Sequence, residues 1–424
     1  MATLPERIGT LDTIRGVAVL GILLLNIVAF AMPQTAYMNP RAYGGWHGAD
    51  LAAYLINFVL FDGKMRGLFS FLFGASMLMV IERAELSGQS PARVHFSRMI
   101  WLLIFGLIHL WLIWWGDILT LYAMVGMIAW AFRNKDAHSL IGHGILLLCF
   151  QWLLMILMPI GMHATELAAA RPDATADARH GLEQLQQGFG VPSAQWIAGQ
   201  LALMRGGYWG ILSDRLANNI TTPLNSLLFV GAETLAYMLF GMAALKSGFL
   251  TGAWERRRYW RWVAVGFGIG VPVYAALGAW MVAQQFSMMS VAIAVMAASV
   301  PVRSVMIVGW AALIILALRP GGALTQRLAA AGRMAFSNYL GTSLICTTLF
   351  YGYGFGWFGY WSRAQIYGVV LAVWVLILLW SKPWLEHFRY GPLEWLWRSL
   401  ARRQWQPMRG GALSATQKVA TDTQ

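Results

Sequence analysis

Gly16-Val17-Ala18-Val19-Leu20-Gly21-Ile22-Leu23-Leu24-Leu25-Asn26-Ile27-Val28-Ala29-Phe30-Ala31-Met32 is the stretch whose reading decides the fold. It carries no charge and is long enough, at about 1.5 Å per residue, for most of a bilayer's hydrocarbon core. No small-residue cleavage site follows it, so it reads as a retained first span rather than a cleaved leader. Further apolar runs of spanning length lie near 65–81, 99–115, 118–132, 140–162, 224–246, 260–282, 303–318, 334–352 and 366–381. The Met- and Ala-rich stretch 285–301 is shorter and ends at Pro301, which reads as a lateral or re-entrant helix, with an eleventh span as the alternative.

The whole chain agrees with that reading. Of 424 residues, 58% are hydrophobic and only 12% charged, about half the charged share of a soluble domain. Its 22 Trp and 44 Gly fit interfacial anchors and close helix contacts in a bilayer. The net charge of +13 comes from short loops between apolar runs, without aromatic-interleaved basic patches, and so does not indicate nucleic acid. Arg83, Arg93 and Arg98 share one loop, and Arg133 and Lys135 another. Lys246 and Arg256 to Arg261 form a third, Arg319 to Arg333 a fourth, and Lys382 to Arg409 the tail. Basic residues in alternate connections place both termini in the cytoplasm of a bacterial inner membrane and the 163–223 segment outside.

The expected fold is therefore all-α: a polytopic membrane protein of about ten transmembrane helices plus one lateral or re-entrant helix and an external helical loop. Residues 1–162 form a five-helix N-terminal half, 163–223 the extracytoplasmic loop, 224–409 the C-terminal half and 410–424 a disordered tail. Cys149 and Cys346 sit inside apolar runs, without metal-ligand spacing, and read as small core residues. No metal is expected, and Walker, zincin and nucleophile-elbow motifs are lacking.

An ionisable group inside a span costs about 2.5–3.5 kcal/mol on insertion scales, so each one asks for a reason. Asp12 and Arg15 are three apart and can neutralise one another at the start of the first span. Asn26 follows Arg15 by eleven residues, roughly 16 Å deeper. His109 follows Arg98 by the same interval, which puts the two polar groups at one depth and predicts a shared internal cavity. A mid-membrane His is suited to proton transfer. Asp117, in Trp115-Gly116-Asp117, falls at the outer edge, placed to cap the fourth span or bind a cation. Asp62, Lys64 and Arg66 flank Gly63, which predicts a helix break and a charged rim at the outer end of a polar pocket. Glu233 is a lone carboxylate near mid-bilayer, and Asn338 and Tyr339 enter the ninth span from inside. For all of these, satisfied interhelical hydrogen bonds and headgroup-level ion pairs are the structural alternative.

With these residues in view, the chain resembles the YeiB-like family of bacterial integral membrane proteins, a family of unknown function. The resemblance rests on Leu11-Asp12 followed by Arg15-Gly16-Val17-Ala18, on Lys64-Met65-Arg66 followed by Leu68-Phe69-Ser70, and on Gly106-Leu107-Ile108-His109 continuing to Gly116-Asp117-Ile118-Leu119. It continues in Gly332-Arg333-Met334-Ala335, Asn338-Tyr339-Leu340 and Gly391-Pro392-Leu393-Glu394-Trp395, and so runs nearly end to end. More distantly, the opening resembles the transmembrane acyltransferases, both the acyltransferase-3 proteins and the heparan glucosaminide acetyltransferase group. In acyltransferase-3 proteins a His follows the Arg by eleven positions, and here that position holds Asn26. Asn hydrogen-bonds but is no general base near neutral pH.

That resemblance implies an acyl-CoA donor held at the cytoplasmic mouth by Asp12 and Arg15 and an envelope component or small molecule as acceptor; with Asn26 in the place of the base, His109 at similar depth is the residue that would replace it. Two other classes stay open on the residues: a transporter or channel with a His109/Glu233/Asp117 path, and a non-catalytic envelope factor. Partners implied are the lipid bilayer, the substrate and, as one possible assembly, a homodimer.

Overall fold

The computed structural model describes residues 9–409, so the tail expected over 410–424 lies outside the described residues. We number the helices of the ten apolar runs α1 (Gly9–Ala31), α2 (Lys64–Leu86), α3 (Pro91–Ile108), α4 (Leu119–Ala129), α5 (Ala137–Ala169), α6 (Thr222–Lys246), α7 (Arg256–Ala283), α8 (Val300–Ala317), α9 (Ala335–Phe350) and α10 (Tyr367–His387). Every expected run is a helix, and no strand occurs among the described residues. Among the described residues, eight helices are long and apolar enough to cross a membrane. The two shorter ones, α4 and α9, have much of their surface buried against other helices. At 16 residues, α9 is about 24 Å long, less than the hydrocarbon core.

Burial sorts these helices into an inner and an outer set. α1 is wrapped on nearly all sides, from Leu11 to Ala31. α5 buries only a stripe, Leu140, Gly144, Gln151, Met155, Pro159 and Met162, although it is apolar all round. A helix apolar on every face but packed on one belongs against lipid. α2 and α6 cross with backbone almost in contact: a Cβ on Gly74 would stand 2.1 Å from the Met238 carbonyl, and one on Gly241 1.7 Å from that of Phe71. Only glycine permits this approach.

The connections group as the loop charges suggest. Lys246, ending α6, donates to the carbonyls of Arg133 and Lys135, between α4 and α5, at 2.9 and 2.6 Å. We call this the basic end. The 163–223 segment is helical as expected: α5 runs on to Ala169, followed by helices Ala176–Phe189, Ala194–Met204 and Tyr208–Asn218. The expected break at Gly63 is also there, in a left-handed conformation (φ +69°) that suits a residue without a Cβ.

The 285–301 stretch holds a short apolar helix, Met288–Ala298, that runs on into the next span. Met288–Ala292 continues as a π-helical segment, Ile293–Ala298, and then through Ser299 into α8. Pro301 sits in the first turn of α8, where its missing N–H costs little. Two more π-helical segments, Asn57–Phe61 and His109–Ile113, end the helices before Gly63 and after α3. In each of the three a loosened carbonyl accepts from a side chain: Phe58 from Lys64 Nζ (2.6 Å), Leu112 from the Tyr208 hydroxyl (2.9 Å), and Val295 from Arg303 (3.1 Å).

Candidate functional site

His109 opens the π-helical segment at the end of α3, after which the chain turns extended at Trp114 and re-enters helix at Leu119. That reversal brings Asp117 back beside His109. Asp117 Oδ1 lies 2.8 Å from His109 Nδ1, and Oδ2 accepts from the backbone N–H and hydroxyl of Thr120 at 2.7 and 2.8 Å. Asp117 thus caps the first turn of α4, as its position suggested, and orients the imidazole as well. Both side chains are fully buried. A carboxylate only accepts, so Nδ1 carries the hydrogen that faces Asp117. Nε2 is buried with no hydrogen-bond partner. A buried polar atom left unpaired costs about 1–3 kcal/mol, which marks this nitrogen as the unusual atom of the pair.

The rings of Tyr339 and Trp114 flank His109, with centroids 5.2 and 6.2 Å away. Phe30 of α1 stacks on Trp114 at 3.9 Å. Beneath lies a cavity of about 430 Å³ between α1, α2, α3, α4, α9 and the amphipathic helix Pro392–Arg402. At the basic end its lining holds six arginines, Arg15, Arg83, Arg98, Arg333, Arg389 and Arg398, against two carboxylates, Asp12 and Glu394. Farther in, the wall is apolar, with Ile22, Phe69, Phe73, Met77, Met99 and Leu102. Ile118 and Leu119, which follow Asp117 in the chain, and Tyr339, whose ring flanks His109, also line it, as does Tyr122, whereas His109 and Asp117 themselves do not.

At the basic end Asp12 and Arg15 are paired as expected, at 3.2 Å, and Arg15 also donates to Ser76 at 2.6 Å. Glu394 caps α9: its carboxylate accepts from the Phe336 and Ser337 N–H groups (2.7 and 3.2 Å) and from the Ser337 hydroxyl (2.5 Å). Burial pushes the Glu394 carboxyl up from its ordinary 4.5, against the pull of those three donors.

Asn26 does not line this cavity and makes no hydrogen bond among the described residues. Its face is nonetheless defined. Ile22, Asn26 and Phe30 are four apart and share one side of α1. Ile22 lines the cavity and Phe30 stacks on Trp114, so Asn26 sits between the cavity and the aromatic layer around His109.

The charged groups near Gly63 are not a rim. Lys64 is fully buried, with its ammonium 3.0 Å from the Tyr274 ring centroid. The Tyr37 hydroxyl donates to Asp62 at 3.1 Å. Arg66 reaches Glu233 Oε2 at 2.6 Å, while Arg303 and the Tyr237 hydroxyl reach Oε1, each at 2.7 Å. Glu233 is therefore not a lone carboxylate but the centre of a two-arginine clamp. Asn338 is likewise structural: it donates to the Ala331 carbonyl and Ser381 and accepts from Trp380, all within 3.2 Å.

Sequence reasoning passed over Arg303, His95 and Glu394. Arg303 was hidden by splitting 285–301 from the run that follows; as one helix, the segment carries an arginine well inside it. Buried His95 lines the cavity and meets the Gly126 carbonyl at 3.0 Å. Being four residues into α3, it looked like part of a polar loop.

Residues 244–404 match the model of a family described as "Protein of unknown function (DUF418)". The "Uncharacterized protein YeiB" of Escherichia coli (strain K12) is 32% identical, over 97% of this chain and 100% of its own length. The "Uncharacterized protein YxaH" of Bacillus subtilis (strain 168) is 33% identical, over 95% of this chain and 96% of its own. An "Uncharacterized 39.9 kDa protein in amylase 3'region" of Bacillus acidopullulyticus is 26% identical, over 94% of each chain. No solved structure matches the chain.

Proposed function

This chain belongs to the YeiB-like family of bacterial multi-pass membrane proteins, and from that premise and its site we propose that it is a membrane acyltransferase using an acyl-CoA donor. One observation carries the reading: a cavity with an arginine-lined end and apolar walls approaches a buried His–Asp pair whose second imidazole nitrogen is unpaired. The basic loops support a cytoplasmic arginine end, the side on which acyl-CoA is dissolved. Arg15, Arg98, Arg333 and Arg398 suit the donor's phosphates. The apolar wall suits its thioester arm.

His109 Nε2 takes the proton of an acceptor hydroxyl or amine as that atom attacks the thioester carbonyl. The C–S bond breaks, and the proton passes from the imidazolium to the leaving thiolate, giving the acylated acceptor and free CoA. Asp117 holds the imidazole in the required tautomer and offsets its transient charge. The acceptor is an envelope component or a small molecule.

The test is titration calorimetry of purified protein with acetyl-CoA and longer acyl-CoAs. Saturable binding that weakens in Arg98→Ala is the expected result. Absence of binding at about millimolar concentration discards the enzyme reading in favour of transport. Proton-coupled uptake in Glu233 and His109 variants is then the assay.

A further inference from the structure

A second, unrelated pocket lies at the other end of α1. The large cavity touches α1 from Leu11 to Ile22, whereas this one touches it at Ala29 and, just past its end, Met32. Along the helix, Arg15 and Ala29 are roughly 21 Å apart. The volume is about 280 Å³, and the walls come from α1, the helices of the 163–223 segment, Trp115 and the loop after α9.

Its chemistry differs from that of the arginine end. Gln34, Gln187, Gln200 and Asn219 line it, and their side-chain amides make no hydrogen bond among the described residues. Each offers two donors and an acceptor. Trp115 and Trp196 supply flat apolar faces. Among the described residues the charged lining groups are Asp214, which accepts from Asn218 at 2.9 Å, and Arg215, which donates to the Trp111 carbonyl at 3.2 Å, so the lining carries no net charge. A further observation is independent of these: the hydroxyl of fully buried Tyr351, another lining residue, has no hydrogen-bond partner.

We propose that this pocket binds a neutral, hydroxyl-rich ligand of the sugar or polyol class. Unpaired amides match hydroxyl groups, which both donate and accept. Indole faces match the C–H faces of a pyranose ring, and zero net charge leaves no drive for an anion. A phosphate or carboxylate ligand would meet one arginine, Arg215, already donating to a carbonyl, with the carboxylate of Asp214 in the same wall. Trp115 is the chain neighbour of Trp114, whose ring flanks His109. The ligand is therefore placed to be the acyl acceptor. That role rests on the preceding reading, whereas the binding does not.

Binding is measured without any acyl donor, so it stands or falls separately from acyl transfer. The protein is held in lipid nanodiscs, because maltoside detergents carry sugar headgroups. N-acetylglucosamine, glucose and glucose 6-phosphate are titrated by calorimetry. The neutral sugars should bind, and the phosphorylated one no better. Gln200→Ala and Trp196→Ala should weaken binding by about tenfold, the loss of one ring or amide contact, while Trp196→Phe keeps most of it. The unfolding midpoint of Trp196→Phe guards against misfolding in Trp196→Ala. No neutral sugar binding at about 0.1 M, stronger binding of glucose 6-phosphate, or affinity unchanged in both Ala variants overturns the assignment.

Discussion

Arg98 and Trp397 hold each other twice. The guanidinium carbon stands 4.2 Å from the indole ring centroid, and the indole N–H donates to the Arg98 backbone carbonyl at 2.9 Å. This fixes the Pro392–Arg402 helix across the basic end of the cavity. Trp397→Ala should cost about 2 kcal/mol, part of what a fully buried Trp costs, and should weaken acyl-CoA binding. Trp397→Phe keeps the ring but loses the N–H, and should fall between. Denaturant titration with parallel calorimetry checks both.

The Arg66–Glu233–Arg303 clamp is a stability element. Glu233→Gln leaves two buried guanidiniums facing an amide and should cost about 3–5 kcal/mol. Adding Arg303→Met should recover part of that loss, because the uncompensated charge is removed. Unfolding midpoints of the wild type and both variants decide it. A double variant less stable than Glu233→Gln alone would refute this account.

His109→Ala should leave acyl-CoA affinity near the wild-type value and lower product formation by about a hundred- to ten-thousand-fold. Asp117→Asn should likewise spare binding and lower product formation, since an amide can hold the imidazole in the wrong tautomer. Single-turnover assays with radiolabelled donor separate binding from chemistry.

Glu394 makes stability depend on pH. Its folded-state value is raised above the ordinary 4.5 by burial, so folding takes up a proton there. Stability contributed by this group is full below about 4.5 and falls as pH rises from there through the raised value. Glu394→Gln should flatten that slope and lose the hydrogen bond that ties its carboxylate to the Ser337 hydroxyl. Unfolding midpoints measured across that range test the sign; a wild-type slope rising where the variant is flat would contradict it.

Orientation is checked by single-cysteine labelling with a membrane-impermeant maleimide. Both Ala176 and Arg257 are exposed. Ala176→Cys should label from the periplasmic side and Arg257→Cys should not. The reverse pattern discards the assignment of the basic end to the cytoplasm.

Much of the fold could be read from the residues, because length and apolarity alone select bilayer-spanning helices. Asp117 as a cap and Gly63 as a break were also legible, each resting on a local backbone rule. Equal rise from Arg15 and Arg98 predicted a cavity shared by Asn26 and His109, but neither residue lines the large cavity. What the sequence could not supply is which helix faces which. Glu233 looked solitary because its partners arrive from α2 and α8, and Arg303 went unnoticed once a proline was taken as a boundary. The two pockets depend on how non-adjacent helices and the 163–223 segment meet, which no single run of residues encodes.

The π-helical segment Ile293–Ala298 has a consequence for the family's history. Such a segment holds one residue more than an α-helix of the same reach, so it can be gained or lost without shifting the phase of the flanking turns. Here the loosened Val295 carbonyl serves the Arg303 side chain. Across relatives, a one-residue gap at this point and the absence of the arginine should therefore travel together. Their co-inheritance can be counted in any collection of family sequences, without a single purified protein.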